Sequence, residues 1–281
     1  MKKHSILYII GTALKFIVLL VYGLLVIFPF AWIFITSIKP SQAEIYQFPI
    51  SYWPEQASLA NYFEIFTIGH FGTFYLNSII VSITAGVLAV FIAILGGYVI
   101  ARYKFKLRGV VLFIFLFTQM IPMFIMLAPL YQMMASVGMV NKLPTLIILY
   151  TSMMIPFSVV TLRGFFQGIP NSLEEAAMID GCGRLRALFS IIVPVMLPGI
   201  AATFIFAFVN CWNELFTAVI FIDVEKYKTI PVALNSFILK YDIDWGPLTA
   251  GTVMSILPTI VLFGFAQRYM ASGLTNGAVK G

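Results

Sequence analysis

The run Phe16–Ile38, FIVLLVYGLLVIFPFAWIFITSI, decides the fold class, because its 23 residues include no charged side chain. A helix rises about 1.5 Å per residue and the hydrocarbon layer is about 30 Å thick, so about 20 such residues cross a bilayer. Lys2 and Lys3 precede the run, which superficially resembles a secretory signal. The run is too long for a signal's apolar region and no small-residue cleavage site follows, so it reads as an uncleaved first span.

Five further segments of this kind follow, near Leu76–Ala101, Gly109–Met134, Pro144–Leu162, Pro198–Ile222 and Gly246–Gln267. The sequence therefore predicts an all-α membrane protein with six transmembrane helices. Composition agrees: the 281 residues are 61% hydrophobic and 10% charged, too few charges to coat a soluble globule. Pro122, Pro129 and Pro156 fall inside these spans and are expected to kink or unwind them, which a membrane bundle tolerates where neighbours satisfy the freed carbonyls.

The formal charge of +6 does not indicate a nucleic-acid surface, since the basic residues lie between apolar segments instead of on one face. They report topology. Lys2, Lys3, the four cations of Arg102–Arg108, Arg163, Arg184, Arg186, Arg268 and Lys280 fall on one side of the spans, with Lys15 at its edge. Lys39, Lys142, Lys226, Lys228 and Lys240 fall on the other, so the positive-inside rule puts both termini in the cytoplasm. Neither repeats nor linkers divide the chain, and residues 1–281 read as a single transmembrane domain. It carries an inner loop at 163–197, an outer loop at 223–245 and an inner tail at 268–281.

The inner loop holds the most local information. Ser172 followed by Glu175 is a capping-box pattern, which predicts a helix from Leu173. Gly181 is placed to end that helix by adopting a left-handed conformation, and Gly183 loosens the chain before a second short helix. Ala176 and Ala177 are small enough to let the first helix lie close to another surface. From the residues alone, docking on a partner protein is evenly balanced against a helix that rests on lipid or packs on this chain's own bundle.

Glu175-Ala176-Ala177, three residues, Gly181, nine residues, Ile191, one residue, Val193 and Pro194 resembles the signature loop of binding-protein-dependent ABC importer membrane subunits, with Val193 where leucine is usual. Asn61-Tyr62, Asn77-Ser78, Trp212-Asn213-Glu214 and the ending Gly273–Gly281 are similar to the carbohydrate branch, in particular the smaller membrane subunit of the maltose importer. The resemblance covers nearly the whole chain. It implies a type I importer-like transmembrane domain whose loop docks as a coupling helix on a cytoplasmic ATPase, with Glu175, Ala176, Ala177, Asp180 and Gly181 forming the joint. It further implies a second homologous membrane subunit, two ATPase subunits that bind ATP and Mg, and an extracytoplasmic solute-binding protein meeting residues 223–245. The tail would make a second ATPase contact.

No G-x-x-x-x-G-K-[ST] phosphate loop occurs, so this chain is expected to bind no nucleotide cofactor and to hydrolyse none. His4 and His70 lack metal-ligand neighbours in sequence, no Ser/His/Asp set shares a loop, and Cys182 and Cys211 form no framework, so neither a catalytic nor a metal site is expected. An ion-coupled carrier or channel remains the alternative, and Glu214 is the clear intramembrane ionisable residue it would use. Asn210, Asn213 and Glu214 at i, i+3 and i+4 would share one face of the fifth span. That face reads equally as a pore lining or as interhelical hydrogen bonding.

Overall fold

The computed structural model describes residues 6–67, 70–238 and 243–278. Among them the chain is helical nearly throughout, and its β structure is an isolated bridge between Ile238 and Ile243. The helices are α1 (Ile6–Ser37), α2 (Gln42–Ile45), α3 (Ala60–Thr67), α4 (Phe71–Arg102), α5 (Arg108–Met120), α6 (Met123–Ser136) and α7 (Leu143–Gly168). There follow α8 (Ser172–Ile179), α9 (Arg184–Ala187), a π-helical turn at Leu188–Ile192, α10 (Val193–Val195), α11 (Leu197–Trp212), α12 (Phe216–Phe221), α13 (Ile230–Ser236) and α14 (Trp245–Ala278). Four helices are long and apolar enough to cross a membrane, and up to six spans result if each of two sharply bent helix pairs counts as one. Lys2, Lys3, His4, Lys240, Asp242 and the final residues 279–281 lie outside the described residues.

Two expected spans are interrupted. The third divides at Ile121–Pro122 into α5 and α6, which meet at 99°. Pro122 has no N–H to continue the ladder and holds the residue before it extended; Ile121 sits at φ −76°, ψ 120°. Pro129 and Pro156 instead lie inside continuous helices. The fifth expected span, Pro198–Ile222, is α11 and α12 separated by Asn213–Leu215. At the chain's end, helix α14 continues past the expected Gln267 to Ala278, so most of the expected tail is helical.

Contacts group the described residues into two compact units: residues up to Phe71 with Leu234–Ile256, and Gly72–Ala233 with the chain from Leu257 on. In the first, the Asn61 amide donates to the Ser37 and Lys39 carbonyls at 2.9 Å each, satisfying acceptors that the end of α1 would otherwise leave open. The Tyr62 hydroxyl meets Ser37 Oγ at 2.7 Å, and buried Lys39 donates to the Ser51 carbonyl at 2.8 Å beneath the Trp32 ring. These bonds give Asn61-Tyr62 a physical purpose. Much of α1 exposes its apolar side chains, as a helix bathed in lipid does.

The second unit packs around α4. Ala85, Ala89, Ala93 and Gly97 recur every fourth residue, and the three alanines are fully buried. Such a small-residue stripe lets helix backbones approach closely. A Cβ on Gly97 would stand 3.1 Å from the Arg163 backbone nitrogen of α7. Two apolar clusters form along this helix. One gathers Val81, Ala85, Leu149, Tyr150 and Phe221; the other gathers Ala93, Tyr98, Leu162, Phe166 and Leu188. Asn77 and Ser78, at the opposite end of α4, secure residues 226–230. The Asn77 amide donates to the Lys226 and Lys228 carbonyls at 2.9 Å, and Ser78 Oγ accepts the Ile230 N–H at 2.8 Å.

Candidate functional site

The loop after α7 begins differently from the capping-box expectation. Helix α8 starts at Ser172, preceded by Asn171 in helical conformation at φ −62°, ψ −28°, and no side-chain cap forms. The reason is that Pro170 and Asn171 already turn the chain: Leu173 N–H donates to the Pro170 carbonyl, and the Glu174 and Glu175 N–H groups donate to Asn171. Ser172 is therefore inside the first turn, where its hydroxyl cannot serve as the cap. The helix end is as expected. Gly181 sits at φ +84°, its N–H donates to the Met178 carbonyl at 3.1 Å, and Cys182 N–H donates to Ala177 at 2.9 Å. This is a Schellman closure, which favours glycine because a Cβ resists that backbone conformation. Gly181→Val is expected to destabilise the closure by about 1–2 kcal/mol, opening the loop about 5- to 30-fold more often. Limited proteolysis between Cys182 and Arg186 would read that change.

Helical spacing sorts the expected joint residues into two sets. Glu175, Ala176 and Asp180 are exposed, with Gly181 beyond them, while Ala177 is only 4% exposed and faces this chain's own core. Ile179 is 85% exposed on the outward side, an apolar residue that the sequence reading passed over. Position in the helix explains the pattern: 175, 176, 179 and 180 share one face, and 174 and 177 share the opposite one.

The inward face contains the strongest polar contact of the loop. The Glu174 carboxylate receives Arg102 Nε at 2.5 Å and the Tyr98 hydroxyl at 3.0 Å. Arg102 also donates to the Ile169 carbonyl at 3.1 Å, so the guanidinium ties together the last turn of α4, the end of α7 and helix α8. Both ion-pair side chains are 11% exposed, a setting in which removing one partner strands the other. Arg184 donates to the Tyr103 hydroxyl at 2.6 Å and lies over its ring, which brings the loop against the Arg102–Arg108 stretch. Sequence reasoning missed Glu174 and Arg102 because they lie 72 positions apart, and only packing joins them.

Asn210, Asn213 and Glu214 do not share a helix face, because α11 stops at Trp212. The Asn210 and Asn213 amides donate back to the Phe206 and Val209 carbonyls at 2.8 and 2.9 Å. Glu214 lies in the break and turns its carboxylate onto the start of the next helix. It accepts from Thr217 N–H at 3.0 Å, from Ala218 N–H at 3.3 Å and from the Tyr150 hydroxyl at 2.8 Å. A carboxylate at a helix N-terminus satisfies open donors and meets the positive end of the dipole.

The model of the family described as "Binding-protein-dependent transport system inner membrane component" matches residues 89–275, the stretch that holds the loop at 163–197 and both interrupted spans. The chain belongs to that family. It is accordingly a multi-pass protein of the inner membrane. Family relatives include the sulfoquinovosyl glycerol transport system permease protein SmoH of Agrobacterium fabrum, 36% identical over 96% of this chain and 95% of that protein. The diacetylchitobiose uptake system permease protein DasC of Streptomyces coelicolor is 36% identical over 91% and 92% of the two chains. A chain in the crystal structure of a bacterial ABC transporter involved in import of the acidic polysaccharide alginate superposes with a TM-score of 0.80. The match covers 96% of this chain and 99% of that one at 23% identity, a likeness of fold. The family resemblance read from the sequence thus holds.

Proposed function

We propose that this chain is the non-catalytic, membrane-spanning permease subunit of an ATP-driven importer, and that it translocates a carbohydrate delivered by an extracytoplasmic binding protein. The observation that carries the reading is the match to a binding-protein-dependent family, in which relatives of nearly equal length are named for the uptake of sugars and sugar conjugates. The loop geometry supports it. An exposed face of Glu175, Ala176, Ile179 and Asp180 stands on a helix anchored from behind by Glu174, which suits docking on a partner ATPase. Both termini lie in the cytoplasm in this reading, as does the loop at 163–197, and the outer loop at 223–245 meets the binding protein. A second homologous membrane subunit forms the other wall of the pathway, and two ATPase subunits bind ATP and Mg. ATP-driven closure of the ATPases biases the pathway between inward- and outward-facing states, each stabilised by different contacts.

The test is mass spectrometry of what co-purifies stoichiometrically with the tagged chain in mild detergent, followed by uptake assays in proteoliposomes. Recovery of a second polytopic subunit and an ATPase, with sugar uptake that requires ATP, is the expected result. Solute movement by the chain alone in ATP-free vesicles would overturn it in favour of a carrier or channel. Glu214→Gln is expected to preserve ATP dependence, because a glutamine amide oxygen can still accept from part of the set Thr217, Ala218 and Tyr150. Loss of a pH-driven flux would indicate ion coupling instead.

A further inference from the structure

Helix interruptions within a bilayer expose backbone groups that lipid cannot satisfy, so they persist where they are buried in protein or line a wet cavity. Here two interruptions flank the same stretch of α7. The break at Ile121–Pro122 borders a cavity of about 430 Å³ that also takes in Met153, Met154 and Asn210. The break at Asn213–Leu215 borders a smaller cavity of about 70 Å³ that shares those same three residues and adds Glu214 and Tyr150. Ser152 lies nine residues into α7, so it stands about 14 Å along that helix, near the middle of the hydrocarbon layer.

The larger cavity has a distinctive chemistry. Gln119, Ser152 and Asn210 are all exposed within it, although each lies in a segment expected to cross the membrane. A lipid-facing wall would not retain three polar side chains at this depth. Each spends a donor on its own helix: Gln119 on the Phe115 carbonyl, Ser152 on Leu149 and Asn210 on Phe206. The Gln119 and Asn210 side-chain oxygens and the Ser152 lone pairs remain as acceptors for a ligand. Beside them Phe157 and Phe206 stack with centroids 3.8 Å apart and planes at 24°, and no charged residue lines the space among the described residues.

We infer that this cavity is a substrate-contact groove for a neutral, hydroxyl-rich ring, so that this subunit itself handles the sugar during passage. The inference rests on the carbohydrate-importer reading and adds where contact occurs. The uncharged acceptors suit hydroxyl donors, and the flat phenyl pair suits the C–H face of a pyranose ring. A charged solute would find no counter-ion there, and the Glu214 carboxylate is already engaged by Thr217, Ala218 and Tyr150.

The experiment uses the purified importer assembly in proteoliposomes, with its binding protein and ATP, and labelled cellobiose, maltose and raffinose as probes. Gln119→Ala and Asn210→Ala are each expected to slow maximal uptake of a transported sugar about three- to tenfold, the effect of losing one neutral hydrogen bond. In addition, Ser152→Cys in a Cys182→Ser, Cys211→Ser background should react with 2-aminoethyl methanethiosulfonate in the intact assembly, and the transported sugar should slow that reaction at least threefold. If Ser152→Cys reacts in the isolated chain but not in the assembly, a partner subunit covers the groove and the inference is wrong. It is equally wrong if sugar gives no protection and both alanine variants transport normally. If the wild-type assembly hydrolyses ATP but imports none of the sugars, the carbohydrate reading fails first and the proposed ligand class fails with it.

Discussion

Ala176→Arg is expected to cut sugar uptake by the importer assembly to below a tenth of wild type while the chain still inserts and melts normally. Ala176 is exposed on the outward face of α8 and makes no contribution to the chain's own core. A larger, charged side chain there costs the isolated subunit little, since exposed substitutions usually change stability by less than about 0.5 kcal/mol. At a close-packed docking surface the same charge is stripped of water without a partner, at about 3–5 kcal/mol. That penalty weakens docking by more than about a hundredfold. Uptake and ATPase rate, measured together, should separate: hydrolysis persists or falls while uptake is lost. Ala177→Arg provides the contrast. Ala177 is 4% exposed against this chain's own core, so its replacement should lower the melting temperature as well. Normal coupling in Ala176→Arg would remove this face from the docking assignment.

Glu174→Ala is expected to reduce uptake about tenfold and to lower stability by about 2–3 kcal/mol, less than a fully buried pair because both partners retain some contact with water. The Arg102–Glu174 bond at 2.5 Å joins α8 to the end of α4, so in the importer reading a displacement of α8 is passed to α4 through it. Removing the carboxylate leaves Arg102 without its counter-charge and Tyr98 without its acceptor. The double variant Glu174→Leu with Arg102→Met should recover most of the lost stability, since replacing both members of a buried pair by apolar groups is often neutral. It should not recover uptake, because an apolar contact is non-directional and slides where a charge-assisted hydrogen bond holds its geometry. Full recovery of uptake would reduce the pair to packing.

The presence of helix α8 and its glycine closure were legible because capping chemistry is local: Gly181 needs only its own φ and the carbonyls of the helix's last turn. The absence of the capping box shows the limit of the same approach. Ser172 and Glu175 have the right spacing, but Pro170 and Asn171 had already begun the turn, and the first residue of a helix is set by the chain entering it. The joint residues were named from the sequence as one group. Their division into an exposed set and a buried Ala177 required knowing which side of α8 packs against the rest of the chain.

The sequence alone determined that the chain is helical and membrane-embedded, because span length and the scarcity of charge are properties of a local window and the bilayer imposes its thickness on every window alike. The family loop was legible for a similar reason, being a fixed spacing within one stretch of chain. Tertiary structure decided what depends on distant neighbours. It divided the third and fifth spans and turned Glu214 from one stripe of a helix into an acceptor for the first N–H groups of the next. It also joined Arg102 to Glu174 and gave Asn77 the carbonyls of Lys226 and Lys228. Hydrophobicity accumulates along the chain and can be read in order, whereas the partner of a buried polar group is fixed by packing that brings remote segments together.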